Sequence, residues 1–205
     1  MGVVAEGEFA RFYDFFFDRI LRPIRKKNIE IAKAYKKNRI IDLGCGTGSQ
    51  CLMLLKQGLS VTGLDNSDKM LTVARKKIQR DGVFYLGDIT SNNFSDSQFD
   101  CVFITLVLHP NDQATIKKII KEAKRIIDDD GIIVITDYDK KSHFKGKVVG
   151  LFIRIIESCA NQSHRTNYFS FMNQGGIVTI LKKQRYQIKE SYTFYHGGLK
   201  TCVIS

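Results

Sequence analysis

The 205-residue chain has no tryptophan and only 2 prolines, and no apolar run approaches the roughly 20 residues that cross a bilayer. Its first ten residues, MGVVAEGEFA, carry two glutamates and no basic group, unlike the positively charged start of a signal peptide. The five cysteines (45, 51, 101, 159 and 202) form no CxxC pair, so neither a disulfide framework nor a structural zinc site is expected. Cys45, Cys51, Cys101 and Cys202 stand in apolar or glycine-rich segments, where a free thiol behaves as a small buried hydrophobe. These features read as a reduced, cytoplasmic protein. No repeat, low-complexity tract or linker divides it, so one domain is expected over residues 1–205.

Acidic residues are scarce at both ends. Against a net charge of +11, residues 1–40 hold 10 Lys/Arg and 5 Asp/Glu, and residues 141–205 hold 10 and 2. The middle is nearly neutral. Such flanks attract anionic small molecules, membrane surfaces or nucleic acid, or are simply solvated helix faces.

What is present is alternation. Arg39–Leu43, Ser60–Leu64, Val83–Leu86, Phe99–Thr105 and Ile132–Thr136 are short, apolar or β-branched, and bounded by Gly, Asp or Asn. Helical stretches near 48–57, 67–79 and 112–127 separate several of them. This pattern predicts an α/β fold: a mostly parallel sheet with helices on both faces. Two helices, 8–21 and about 24–37, precede the first strand, and the first has an aromatic face of Phe9, Phe12, Tyr13, Phe16 and Phe17. Helices are expected at 145–158 and 175–183, and then two β-like runs, Tyr186–Tyr195 and Leu199–Ile204, joined by Gly197-Gly198 as a hairpin.

Residues 40–48 read IIDLGCGTG. A strand entering a glycine-rich turn and a helix makes a ligand site at the carboxyl edge of a sheet. Glycine there lets a ligand approach the backbone and supplies positive φ where the turn needs it. A dinucleotide fingerprint, GxGxxG, requires glycine at 49, but that residue is Ser49 and the third glycine is Gly48. Asp42 would also oppose a pyrophosphate, whereas a cationic ligand without phosphate would accept its carboxylate. Asp65 ends the second strand, where a carboxylate can hold both ribose hydroxyls. Asp88 follows the third strand, placed for an adenine amino group, with the Ile89 amide beside it.

These residues resemble the class I S-adenosylmethionine-dependent methyltransferases. The likeness covers about 40–137, through IIDLGCGTG, VTGLDNSDKMLTVARKK, FYLGDI, FDCVFITLVLH and IIDDDGIIVITDY. It is strongest to the small type-11 enzymes of ubiquinone and menaquinone biosynthesis, to which FARFYD and NYFSFMNQGGI are also similar. The resemblance implies a Rossmann-like seven-stranded sheet ending in an antiparallel hairpin. Residues 1–38 would be a helical lid, 39–139 the cofactor-binding core, and 140–205 the substrate side. It also implies S-adenosyl-L-methionine as cofactor, S-adenosyl-L-homocysteine as product, and no metal. Cofactor contacts are expected from Asp42, Gly44, Cys45, Gly46, Gly48, Asp65, Asn66, Met70, Asp88, Ile89 and Ile104.

Methyl transfer from a sulfonium depends mainly on positioning the acceptor, and the family has no universal base. His109, after the fourth strand, and Tyr13, on the first helix, are the candidate catalytic residues; a structural histidine and plain helix packing are their alternatives. Asp137 and Tyr138 end the fifth strand and face the expected acceptor pocket. His143, His164 and His196 have no motif and read as surface or structural groups. A Phe-rich lid suits a small apolar or aromatic acceptor, quinone-like or lipid-like. Arg19, Arg22, Arg25, Lys26 and Lys27 are placed to meet its anionic group or, peripherally, a membrane surface. A nucleic-acid methyltransferase is the rival suggested by charge. It is disfavoured because ITLVLH lacks the Pro-Pro-aromatic motif that grips a base amino group, and no nucleophilic Cys follows that strand. A catalytically silent cofactor-binding protein is the other alternative.

Overall fold

The computed structural model describes residues 3–79, 83–139 and 162–205, with side chains from Asp18 onward. One helix, α1 (Val3–Ala34), leads into β1 (Arg39–Leu43). Then follow α2 (Ser49–Leu55), β2 (Ser60–Asp65), α3 (Asp68–Lys77), β3 (Phe84–Leu86), β4 (Phe99–Thr105), α4 (Gln113–Ile126) and β5 (Ile127–Tyr138). The later described elements are α5 (Gln162–Asn173), α6 (Gly176–Lys183), β6 (Ile188–Phe194) and β7 (Leu199–Ile204).

The seven strands form one sheet in the order β3-β2-β1-β4-β5-β7-β6. The first five in that order are parallel, while β7 pairs antiparallel with both β5 and β6. This is the expected α/β architecture. Side-chain alternation along each strand divides the core between two faces. Ile41, Leu43, Val102, Ile104, Ile133 and Ile135 meet α4 and α6 on one face. Ile40, Cys101, Phe103, Ile132 and Val134 meet α1, α2 and α3 on the other. Strands buried on both faces read as continuous apolar runs, as these do.

Helix α4 shows how local sequence sets an element. Asp112 caps its start, accepting from the Thr115 amide at 2.7 Å. Ile116, Ile119, Ile120, Ala123 and Ile126 then form one buried stripe.

The chain departs from expectation in three places. The two N-terminal helices are one, running through Pro23. The bond Pro23 cannot donate would go to the carbonyl of Arg19, and both residues are exposed, so water can replace it. The helix ends before residue 37 because Lys36 turns left-handed (φ 53°). The Lys37 amide then reaches the Ala32 carbonyl, and the Lys36 amide that of Lys33, a Schellman closure. Second, β5 begins at Ile127 rather than Ile132, with the register shifted between Phe99 and Cys101 of β4 to absorb the extra residues. Third, α5 stands where no helix is expected: its sequence, QSHRTNYFSFMN, buries only Phe171 and so has no apolar stripe to recognise. The expected helix at 145–158 and Cys159 lie outside the described residues. The hairpin forms, but its turn uses Tyr195 and His196 at positive φ as well as Gly197. Among the described residues no helix is long and apolar enough to cross a membrane, and Cys45, Cys51, Cys101 and Cys202 are all free and buried.

Candidate active site

The parallel strands all deliver their carboxyl ends to one edge, and the chemistry collects there. Gly44, Gly46 and Gly48 carry φ of 75°, 52° and 72°, conformations L residues adopt at a cost. A Cβ on Gly44 would stand 2.5 Å from Val107, whereas one on Gly46 would meet nothing within 4 Å. Gly46 therefore borders open space, a cradle that a side chain would occupy.

A cleft of about 740 Å³ opens beside this turn, lined in part by Gly44, Asp65, Asn66, Asp88, Ile89, Leu106, Val107, Lys118 and His164. Its size lies in the usual range for small-molecule sites. Of the residues singled out in the sequence, Gly44, Asp65, Asn66, Asp88 and Ile89 are on its walls. Cys45 is buried and Ile104 wholly so; Gly48 packs under Phe84 and Ala74, and Met70 lies in the first turn of α3. Leu106 and Val107, which the sequence did not single out, form the wall beyond β4. The chain turns there through Leu106 at φ 59°, fastened by its amide to the Thr136 carbonyl at 2.8 Å.

Three carboxylates mark three successive strand ends. Asp42 is 3% exposed and accepts from the Cys51 thiol at 3.8 Å. Burial pushes its carboxyl up to about 7, against the pull of Arg25; Asp65 pushes further and the Cys51 thiol opposes it. The neighbouring Cys45, then burial, push the Cys51 thiol well up, so it remains a protonated donor. Asp65 accepts from the Gly46 amide at 2.7 Å and from Ser67 at 2.9 Å, binding the glycine turn to the end of β2. Asp88 uses Oδ1 for the Thr90 amide and hydroxyl, at 2.7 and 2.8 Å.

A second constellation lies at the ends of β4 and β5. His109 Nδ1 is 2.8 Å from Asp137 Oδ1. Asp137 is fully buried and also accepts from the amides of Leu108, His109 and Tyr138 at 2.9, 3.1 and 2.8 Å. A carboxylate can only accept, so the proton of a neutral His109 resides on Nδ1 and Nε2 keeps its lone pair. Around this ring stand Tyr138, His164, Tyr168 and Phe171, all edge-on, with centroids 4.8, 5.7, 6.0 and 6.4 Å away. His164, read from sequence as surface or structural, instead lines the cleft. Burial, and then the nearby His109, hold its imidazole below the usual value. No sequence signal announced it, because only the packing of α5 brings it to β4. His196 sits in the hairpin turn, and His143 and the Tyr13 side chain lie outside the described residues. Helix α1 does reach this edge: Leu21 and Ile24 pack with Leu199, Leu106 and Tyr138, and the Tyr195 hydroxyl donates to the Ile20 carbonyl.

The fold agrees with that of known proteins. The family model described as a methyltransferase domain matches residues 41–135. A demethylmenaquinone methyltransferase of Thermotoga maritima is 25% identical over 185 residues, 83% of this chain and 80% of that one. An uncharacterized methyltransferase of Synechocystis is 28% identical over 163 residues, 78% of this chain and 74% of its own. These likenesses identify the chain as an S-adenosylmethionine-dependent methyltransferase. In fold, the enzyme is similar to an S-adenosylmethionine-dependent methyltransferase of Clostridium acetobutylicum, with a TM-score of 0.67, 15% identity and 98% of each chain covered. The cofactor of this methyltransferase is S-adenosylmethionine, and the residues present suit it. The open side of Gly46 leaves room for a ligand against the backbone, and carboxylates at three strand ends suit a cationic, hydroxylated molecule without phosphate. Among the described residues no group of His, Cys, Asp and Glu could hold a metal ion.

Proposed function

We propose that the enzyme methylates a small aromatic acceptor bearing a hydroxyl, of the quinol-precursor kind, with the His109–Asp137 pair taking the acceptor's proton. The observation that carries this is the buried dyad inside a ring of Tyr138, His164, Tyr168 and Phe171. An aromatic enclosure suits a flat apolar molecule, and a histidine with its Nδ1 proton held by a carboxylate is arranged as a general base. The name of the Thermotoga relative, a demethylmenaquinone methyltransferase, points to the same acceptor class.

In this reading Asp65 holds the ribose hydroxyls and Asp88, with the Ile89 amide, the adenine edge. Ile89, Leu106 and Val107 supply apolar walls. Asp42 provides negative charge behind the glycine turn, whose close backbone approach is available at Gly46. Met70 and Asn66 lie at the start of α3 and just before it, beside the ribose position. When bound, S-adenosylmethionine supplies an electrophilic methyl on a sulfonium. The protein's part is to orient the acceptor and exclude water. His109 Nε2 receives the hydroxyl proton, and Asp137 stabilises the resulting imidazolium.

The test is transfer of labelled methyl. Purified enzyme with methyl-labelled S-adenosylmethionine is incubated with extract of its source cells, and the label is counted in organic, small aqueous and macromolecular fractions. Label in the organic fraction, absent with His109→Ala, is the expected result. Label in RNA would refute the acceptor assignment. Absence of transfer despite tight cofactor binding would refute catalysis.

A further inference from the structure

Where α1 passes behind the glycine turn, it places three polar side chains in the interior. Arg25 is 9% exposed, and among the described residues it is the one buried Lys or Arg. Its Nη1 lies 2.6 Å from Asp18 Oδ1, but the Asp18 side chain is 51% exposed. A guanidinium out of water thus depends on a partner that is itself half in water, an expensive arrangement for structure alone. One turn along the same face is Asn28, wholly buried, which donates to Gln50 Oε1 at 3.1 Å. That bond satisfies half of each amide. Asn28 Oδ1, an acceptor, and Gln50 Nε2, a donor, are buried without a hydrogen-bond partner among the described residues. Gln50 sits in the first turn of α2, just after Gly48, and Arg25 is close enough to act on Asp42. Native interiors rarely leave such atoms unmatched unless something else completes them.

We propose that Arg25, Asn28 and Gln50, with Asp42, form the receptor for the amino-acid end of S-adenosylmethionine, so that α1 supplies half of the cofactor site. A zwitterion has the complementary set. Its ammonium is donor-only and matches Asp42 and the open Asn28 Oδ1; its carboxylate is acceptor-only and matches Arg25 and the open Gln50 Nε2. Asp18, already half exposed, is left to water when Arg25 turns to the ligand. The opposing candidate for the carboxylate is Lys77, whose Nζ donates to Thr47 and Ser49 at 3.1 and 3.0 Å on the far side of the same turn. The inference rests on the cofactor reading of the cleft and deepens it with residues that do not themselves line that cleft.

The experiment compares two ligands by calorimetry: S-adenosylhomocysteine, which carries the amino-acid end, and 5′-methylthioadenosine, which lacks it. Loss of a charge-assisted contact is worth at least about tenfold. Arg25→Met is therefore expected to weaken S-adenosylhomocysteine by that factor and leave methylthioadenosine unchanged, with Arg25→Lys recovering part of the loss. Gln50→Leu, which removes the open donor, should show the same selectivity and carries the test if Arg25→Met does not fold. Equal loss for both ligands, no loss for either, or selective loss in Lys77→Met alone would overturn the assignment. Wild-type protein that binds neither ligand would instead overturn the cofactor site itself.

Discussion

Replacing Asp42 by asparagine should stabilise the ligand-free enzyme, by an amount that grows as pH rises from about 4 to about 7 and is constant above that. In the unfolded chain this carboxyl titrates near 3.8; in the fold burial raises it to about 7. Between those values the folded state keeps a proton that the unfolded chain has lost. The group's contribution to stability therefore falls as pH rises through that window, and its deficit is complete above about 7. Each pH unit of displacement is worth about 1.36 kcal/mol, so the full penalty is about 4 kcal/mol, and relaxation around the ion brings the expectation to about 2–4 kcal/mol. The asparagine side chain carries no charge and escapes it. Urea unfolding should give the two proteins similar midpoints at pH 4. At pH 8 the variant's midpoint should be higher by about 1–2 M, taking a slope of about 2 kcal/mol per molar. The same variant should bind S-adenosylhomocysteine more weakly, because the charge that strains the fold attracts the ligand's ammonium. A stability gain independent of pH, or none at pH 8, would show that Asp42 is not a strained buried carboxyl and would refute the reasoning.

Other perturbations test neighbouring parts of the site. Asp65→Ala removes the acceptor of the Gly46 and Ser67 amides as well as the proposed ribose ligand, so calorimetry should show at least a tenfold loss in S-adenosylhomocysteine affinity; unchanged affinity would contradict its role. Gly46→Ala places a Cβ in open space at φ 52°. It should cost about 1–2 kcal/mol in thermal unfolding while greatly reducing ligand binding; retained binding would mean that the ligand does not approach there. Asp137→Asn should lower kcat at least about a hundredfold with little change in cofactor affinity, and the pH–rate profile should lose the limb due to His109. An unaltered profile would assign the dyad to structure.

The central alternation of strands and helices was legible because it is encoded locally. Apolar β-branched runs and the glycines of the turn each act over a few residues. The strand-end aspartates were legible for the same reason, since a turn that follows a strand places its residue at the sheet edge whatever the remainder of the chain does. The joining of the N-terminal helices across Pro23 was not legible, because a proline's local preference yields where the lost bond can be made to water. Nor was α5, whose mixed sequence is held by packing rather than by periodicity. The pairing of His109 with Asp137 spans 28 residues, and the approach of His164 depends on where α5 lies against β4 and β5. The burial of Arg25 and the orphaned atoms of Asn28 and Gln50 likewise exist only once α1 is laid against α2. The sequence by itself determined which residues could bind a charged, hydroxylated ligand and which strand ends would present them. Only the tertiary structure decided which polar groups were taken from water and set against one another, because desolvation depends on neighbours remote in the chain.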